Sequence, residues 1–354
     1  MTYVLSKHLK GLSGPVLITG HTGFKGAWMT FLLQFLEVPV VGYSLPARSE
    51  SLFERADRVG NILESFADIR DYKTLSEFIN SVKPSVILHF AAQPLVLNSY
   101  ASPRDTFEIN VQGTVNVLDI AFKTDFVQAI GIITTDKVYK NENRNFSFHE
   151  DDPLLGKDPY SASKVAAEAA ISAFQQISKV SNGPKVLSLR AGNVIGGGDW
   201  ADNRLIPDLI KGALLDQKVL IRNPKSTRPW QHVLDPLIGY LKAIEHVLQG
   251  NDVGAINFGP DGTSLSVENV IEIVLSNITF QKLQVEIKPE KNSMESEFLQ
   301  LDSSLAKSIL DWSCRWSQQE AITRTINWWN HYYQGEFDSK NLCELDIKSY
   351  LQEI

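Results

Sequence analysis

Apolar residues fall in short unbroken runs separated by helical patterns through the first half of the chain. Residues 15–19 (PVLIT), 38–44 (VPVVGYS), 85–91 (SVILHFA), 129–135 (AIGIITT) and 185–191 (KVLSLRA) are the strand candidates. None shows the in–out alternation of a half-exposed strand, so each reads as a strand covered on both faces, as in a parallel sheet. Between them, residues 26–37, 72–82, 111–123 and 161–177 carry helical spacing. The alternation predicts an α/β fold: a Rossmann-like doubly wound parallel sheet, with a smaller C-terminal α/β substrate lobe.

The texture changes after residue 191. Residues 192–207 (GNVIGGGDWADNRLIP) are rich in Gly, Asp and Asn, and 221–233 (IRNPKSTRPWQHV) gather basic residues beside a tryptophan. Residues 254–260 (GAINFGP) read as a returning strand, and 261–276 as a capped helix. The expected division is a nucleotide-binding domain over 1–191 that 232–258 rejoin, and a substrate lobe from 192–231 and 259–330. Residues 331–354 are polar and weakly patterned, either a terminal helix or a tail.

Composition narrows the partners. The hydrophobic share of 43% and charged share of 21% suit a soluble globular chain. A net charge of −7 disfavours nucleic acid or an anionic membrane as partner. No apolar run approaches the roughly 20 residues of a membrane span. The N-terminus lacks the apolar core of a leader, so a cytoplasmic location is expected. Cys314 and Cys343 show no metal-ligand spacing, and no metal is expected.

Two motifs carry chemistry. Gly20, Gly23 and Gly26 follow the first strand and open the first helix. In that context they form a dinucleotide cradle: a tight turn, backbone approach to a pyrophosphate, and close packing of helix on strand. The second strand ends at Ser44 with no acid to read a ribose, and Arg48 lies nearby, so this position leaves NAD and NADP both open. Asp68 is placed to meet an adenine edge, or else to serve as a cap beside Arg70. Further along, Tyr160 and Lys164 stand four apart on one helix face. A neighbouring ammonium favours the phenolate, giving a base for a substrate hydroxyl. Thr135, at the end of a neighbouring strand, is the candidate hydroxyl to complete the set.

With Gly20-Gly23-Gly26, Asp68, FAAQ (90–93), NVQGT (110–114), Tyr160 and Lys164 in this order, the chain resembles the extended short-chain dehydrogenase/reductases of the NAD-dependent epimerase/dehydratase family. The segments TTDKVYKN (134–141), RAGNVIGGGDW (190–200), RLIPD (204–208) and RPWQHVLDPLIGYL (228–241) are most similar to the branch of 4,6-dehydratases that act on CDP-glucose. The resemblance implies NAD as cofactor, a nucleotide-sugar substrate, a role in deoxysugar synthesis for polysaccharide, and a homodimer. It implies catalytic roles for Thr135, Asp136, Lys137, Tyr160 and Lys164. Asp136 would be the acid toward the 6-hydroxyl, and Lys137, where relatives carry Glu, a base at C5 or an electrostatic stabiliser. Cofactor contacts would come from Gly20, Thr22, Gly23, Phe24, Gly26, Ser44, Asp68, Ile69, Ala91, Ala92, Gln93, Tyr160 and Lys164. Substrate contacts would come from Gln93, Asn193, Arg204, Leu205, Arg222, Arg228 and His232. Met294 stands where the related enzymes carry His, with Glu295 following.

Overall fold

A computed structural model describes residues 8–56, 62–142, 146–288 and 298–352; Met294 and Glu295 lie outside the described residues. The central sheet has seven parallel strands: β1 (Val16–Thr19), β2 (Val40–Ser44), β3 (Leu63–Phe66), β4 (Val86–His89), β5 (Ala129–Ile133), β6 (Lys185–Ala191) and β7 (Ala255–Phe258). Their order is β7-β6-β5-β4-β1-β2-β3. The chain steps outward from β1 to β3, then crosses back to β4, so the β1/β4 boundary is where the winding reverses. Loops at that point open a crevice at the strands' C-terminal ends, the usual ligand position in such sheets.

Alternate strand residues serve two cores. Val16 and Ile18 of β1 pack into one face with helix α1 (Phe24–Phe35), while Leu17 packs into the other. That second face holds α2 (Tyr72–Val82), α3 (Gly113–Phe122) and α4 (Pro159–Ser181). Both faces are covered, which is why the strands read as unbroken apolar runs.

The edge strand β3 was not legible in the sequence. Its side chains are partly solvated, with Leu63 63% exposed and Phe66 42%, so it lacks the apolar signature of its neighbours.

Helix α5 (Leu205–Leu214) opens the region after β6. A short parallel pair joins Val194–Ile195 to Gln231–His232, and another joins Lys218–Ile221 to Gln284–Ile287. Helix α6 (Leu234–Leu248) returns to the sheet ahead of β7, and α7 (Val267–Asn277) packs against α8 (Gln318–Tyr333). The C-terminal residues form helix α9 (Ser339–Gln352) rather than a loose tail. Leu342, Cys343, Ile347, Tyr350 and Leu351 are buried against the body, and the Tyr350 hydroxyl donates to Asp235 Oδ1 at 2.8 Å. No helix among the described residues is long and apolar enough to cross a membrane.

Candidate active site

The glycine turn is built as its spacing predicts. Gly20 adopts φ +76°, and a Cβ there would lie 2.7 Å from Ala91 N. At Gly26 a Cβ would stand 2.2 Å from Gly20 O, so only glycine lets α1 sit this close to the turn. Gly23 is exposed, and a Cβ there would meet only Gly20 O, at 3.3 Å. The backbone before α1 is therefore open to an anionic group, and no side chain caps the helix. Thr22 Oγ1 lies 2.8 Å from Ser44 Oγ at the end of β2, tying the turn to the second strand. Phe24 begins α1 against Gly196. β2 ends at Ser44, and residues 44–48 hold no acid. The acid of the neighbouring strand, Glu64, is engaged instead with the buried His21 ring at 2.7 Å.

Two other expected cofactor contacts are tied up within the chain. Both oxygens of Asp68 are taken by Arg70, at 2.8 Å from Nη2 and 3.0 Å from Nε. The cap of α2 is Asp71, which accepts from Thr74 N. Gln93 donates to Thr106 Oγ1 at 3.0 Å and accepts from Leu95 N at 2.6 Å, so its amide braces the loop after β4. Ile69 packs on Gly113, and Ala91 N donates to Thr19 Oγ1, with Ala92 next in the same loop.

The catalytic candidates converge. Asp158 caps α4 in a reciprocal box with Ser161, and Pro159 opens the helix. This fixes Tyr160 and Lys164 on the face turned to the end of β5. Thr135, Asp136 and Lys137 leave β5 in a single tight turn. Thr135 Oγ1 donates to Asp136 Oδ1 at 3.0 Å and is within hydrogen-bonding reach of the Tyr160 hydroxyl. Lys164 Nζ donates to Ile133 O at 3.2 Å.

The electrostatics differ from the sequence expectation in one respect. Burial pushes the Tyr160 phenol up to about 12, and the Thr135 hydrogen bond only partly opposes it. The Lys164 ammonium points to a backbone carbonyl, and the Arg204 charge favours the phenolate. Burial brings Lys164 itself down to about 8. Burial also raises the Asp136 carboxyl, opposed by Lys137, by the Thr135 hydrogen bond and by Arg228. Asp136 is 2% exposed, and its Oδ2 has no hydrogen-bond partner.

Of the expected substrate residues, Arg204 and Arg228 reach this cluster. Arg204 precedes α5, is held by Asp199 at 2.9 Å, and its charge acts on Tyr160. Arg228 is buried and acts on Asp136. Leu205 opens α5, Asn193 lies in the loop after β6, and Arg222 is exposed on the adjoining segment. His232 is not at the site. It is fully buried between the indoles of Trp28 and Trp316, and its Nδ1 accepts from Leu234 N. Its neighbours Trp230 and Val233 gave no signal that the ring turns inward.

Two site residues escaped sequence reasoning. Lys25, inside the glycine motif, is lowered to about 7 by burial and by the Lys164 and Arg204 charges, with Asp136 opposing them. Among the described residues its ammonium has no hydrogen-bond or ion-pair partner. Asp199, which orients Arg204, sits in a glycine-rich loop that carries no pattern of its own. No group of three His, Cys, Asp or Glu side chains among the described residues is placed to hold a metal ion.

Known proteins resemble the chain along nearly its whole length. It is 39% identical to the CDP-glucose 4,6-dehydratase of Salmonella typhimurium, over 95% of this chain and 96% of that protein. A UDP-glucose 4-epimerase from Stenotrophomonas maltophila, solved with NAD, superposes with a TM-score of 0.79 at 20% identity, covering 92% of this chain and 100% of its own. A dTDP-glucose 4,6-dehydratase from Bacillus anthracis, also solved with NAD, gives a TM-score of 0.73 at 23% identity, covering 91% and 98%. The two superpositions share the fold. The sequence model for GDP-mannose 4,6 dehydratase matches residues 17–325. The chain therefore belongs to the GDP-mannose 4,6 dehydratase family, whose members are nucleotide-sugar dehydratases and epimerases.

Proposed function

We propose that the protein is an NAD-dependent nucleotide-sugar 4,6-dehydratase acting on CDP-glucose. The observation that carries this reading is Asp136: a buried carboxyl, raised by burial, with one oxygen unpartnered beside Thr135 and Tyr160. A 4-epimerase needs the tyrosine but has no water to expel, so it has no work for a second acid. The likeness to the Salmonella typhimurium enzyme supports CDP-glucose as the substrate.

The residues fit a dinucleotide. The Gly20 turn, the open Gly23 backbone and the uncapped start of α1 together make a pyrophosphate seat. When bound there, NAD would supply hydride acceptance at sugar C4 and hydride return to C6, and its nicotinamide charge would add to that of Arg204 on Tyr160. Tyr160 removes the 4-hydroxyl proton and relays it through Thr135. The 4-ketone acidifies C5. Lys137 takes the C5 proton or stabilises the enolate, and Asp136 protonates the departing 6-hydroxyl as water. Arg204 and Arg228 hold the substrate diphosphate in forked contacts, with Asn193 and Arg222 at its rim.

We assign the cofactor to the sheet region, residues 1–191 with 232–258, and the sugar nucleotide to 192–231 and 259–330. The cytoplasm, which holds NAD and sugar nucleotides, is the proposed location. Exposed Leu97 and Tyr100 on the helix Val96–Ala101 and Phe107 on Pro103–Phe107, with Ile177 and Val180 on α4, support a homodimer through the stretches that start near Thr106 and Tyr160.

Incubation with a panel of nucleotide sugars and NAD tests the function. A 4-keto chromophore in base from CDP-glucose is expected. An epimer without that chromophore, or turnover of a different nucleotide alone, would overturn the reading.

A further inference from the structure

His89 ends β4 at the β1/β4 boundary, in register with Thr19, the last residue of β1. It is 2% exposed, and no step of the proposed reaction uses it. Both ring nitrogens are engaged: Nδ1 lies 2.7 Å from Thr19 Oγ1, and Nε2 lies 3.1 Å from Thr114 Oγ1. The neighbours fix which nitrogen carries the proton. Thr114 has one hydroxyl hydrogen and donates it to Asn110 O at 2.8 Å, so its oxygen can only accept from the ring. Nε2 is therefore the protonated nitrogen. Burial, with the Lys164 charge second, brings the ring down to about 3, so it is neutral and Nδ1 carries a bare lone pair. Thr19 then donates to Nδ1, and its oxygen accepts from Ala91 N at 3.3 Å. Each hydrogen bond in the chain thus has one direction.

We propose that His89, as the Nε2–H tautomer, is a positioning residue for the NAD crevice, holding the loop after β4 against the glycine turn. The proposal rests on NAD binding at that turn and is independent of which sugar reaction follows. The near end of the chain is the cradle itself. Ala91 N, which Thr19 holds, would lie 2.7 Å from a Cβ at Gly20, so loop and turn are walls in contact. Phe90 N donates to Thr19 O at 3.0 Å and Ala91 N to the Thr19 hydroxyl, so two successive amides of the loop are pinned on one residue. The far end is a π-helical stretch, Glu108–Gln112, ahead of α3; such wide turns occur frequently at functional sites. Asn110 in that stretch accepts from Gln93 N at 2.8 Å, and donates to Gln93 O at 3.1 Å and to Ser163 Oγ at 2.9 Å. Ser163 Oγ donates to Tyr160 O at 2.6 Å. The loop after β4 is therefore clamped at Ala91 through His89 and at Gln93 through Asn110, and the same stretch reaches the catalytic helix. Phenylalanine would keep the bulk of the ring but leave the Thr19 hydrogen without its acceptor, free to turn the oxygen away from Ala91 N.

Asparagine and glutamine separate the two ends of the ring. Asn places its Oδ1 where Nδ1 stands and keeps an acceptor for Thr19. Gln places its Nε2 where the ring Nε2 stands and keeps the donor to Thr114. The test is calorimetric titration of NAD into the full-length protein and its variants, without sugar. His89→Phe should weaken NAD binding roughly tenfold. His89→Asn should recover most of that loss, and His89→Gln should not. Thr19→Val should match His89→Gln, and the double variant should bind no more weakly than either single one. A merely structural ring would lower Tm in every variant without separating Asn from Gln in NAD affinity. Affinity unchanged in His89→Phe, or recovered no better by Asn than by Gln, would overturn the proposal. Heteronuclear NMR of the wild-type histidine rings, without NAD, keeps the test open where a variant fails to fold. A neutral His89 with its proton on Nε2 is expected, and an Nδ1–H tautomer or an imidazolium at neutral pH would overturn the proposal. Neither measurement needs a sugar nucleotide, so absence of turnover would count against the dehydratase reading and leave both standing.

Discussion

Replacing Glu168 by Gln should cost the protein about 3–5 kcal/mol, because it strands a buried cation. Glu168 sits on the same face of α4 as Tyr160 and Lys164, one turn further along. Its carboxylate accepts from Arg190 Nε and Nη2, both at 2.9 Å, from Ser188 Oγ at 2.6 Å and from Thr134 Oγ1 at 2.7 Å. Side-chain exposure is 5% for each partner of the ion pair. Gln keeps the shape but presents an amide to the guanidinium, leaving Arg190 with Tyr139 and a backbone carbonyl and no counter-charge there. With an unfolding entropy of about 2 cal/mol/K per residue over 354 residues, the loss corresponds to a fall in Tm of about 4–7 °C. Burial alone would raise the Glu168 pKa, but Arg190 and the two hydroxyls hold it below the ordinary carboxylate range. Its stabilisation is therefore present above that range and lost as pH falls through the folded pKa, so the variant should lose less than the wild type on acidification. Urea and thermal unfolding at neutral and acid pH, with the Glu168→Leu/Arg190→Met pair, read this out. The double variant should recover most of the loss, since paired removal leaves no stranded charge. A single-variant cost under about 1 kcal/mol, or a double variant no better than the single, would refute the reasoning. Because α4 carries the catalytic pair, kcat should also fall while KM changes little.

Other outcomes follow from the site. Gly26→Ala forces backbone apart, since its Cβ would meet Gly20 O at 2.2 Å and His21 Cα at 2.8 Å; calorimetry should show at least tenfold weaker NAD binding, with about 1–3 kcal/mol lost in urea unfolding. Gly23→Ala meets only one atom at 3.3 Å, so it should keep its Tm and lose only NAD affinity. Asp136→Asn should slow elimination by about 10²–10⁴ while the near-ultraviolet absorbance of reduced nicotinamide still appears on mixing with CDP-glucose. Lys137→Met should slow C5 deuterium exchange; unimpaired exchange would remove both roles assigned to that residue. Burial raises Asp235 to about 7, so its contribution is fully present below the ordinary aspartate range and lost as pH rises to about 7. Asp235→Asn should therefore be more stable than the wild type by about 2–4 kcal/mol at mildly alkaline pH, measured by urea unfolding, and flatter across the neutral range.

The sheet was legible because most of its strands are buried on both faces and so announce themselves as apolar runs. The half-solvated β3 lacks that signature and went unread. The terminal helix α9 was equally faint, since its buried Leu342, Ile347 and Leu351 are interspersed with Glu344, Asp346 and Lys348. Within the site, spacing located what a helix or a turn places by itself: the three glycines, Tyr160 with Lys164, and Thr135 with Asp136. Residues whose role depends on tertiary approach were hidden. Lys25 stands inside the glycine motif and Asp199 in the Gly-, Asp- and Asn-rich stretch 192–207, and no spacing shows that either approaches the catalytic turn. For His232 the sequence left open a substrate contact or packing behind Trp230; the pairing of Gln231–His232 with Val194–Ile195 turns its ring between the indoles of Trp28 and Trp316 instead.

The most direct measurement follows a label from one carbon to another. CDP-glucose carrying deuterium at C4 is converted in ordinary water with catalytic NAD, and the product is read by proton and deuterium NMR. Hydride removal at C4, water loss steered by Asp136 and return to C6 within one active site predict the deuterium in the methyl group of a 4-keto-6-deoxy sugar. Deuterium retained at C4, whether in unchanged substrate or in its epimer, would contradict the account.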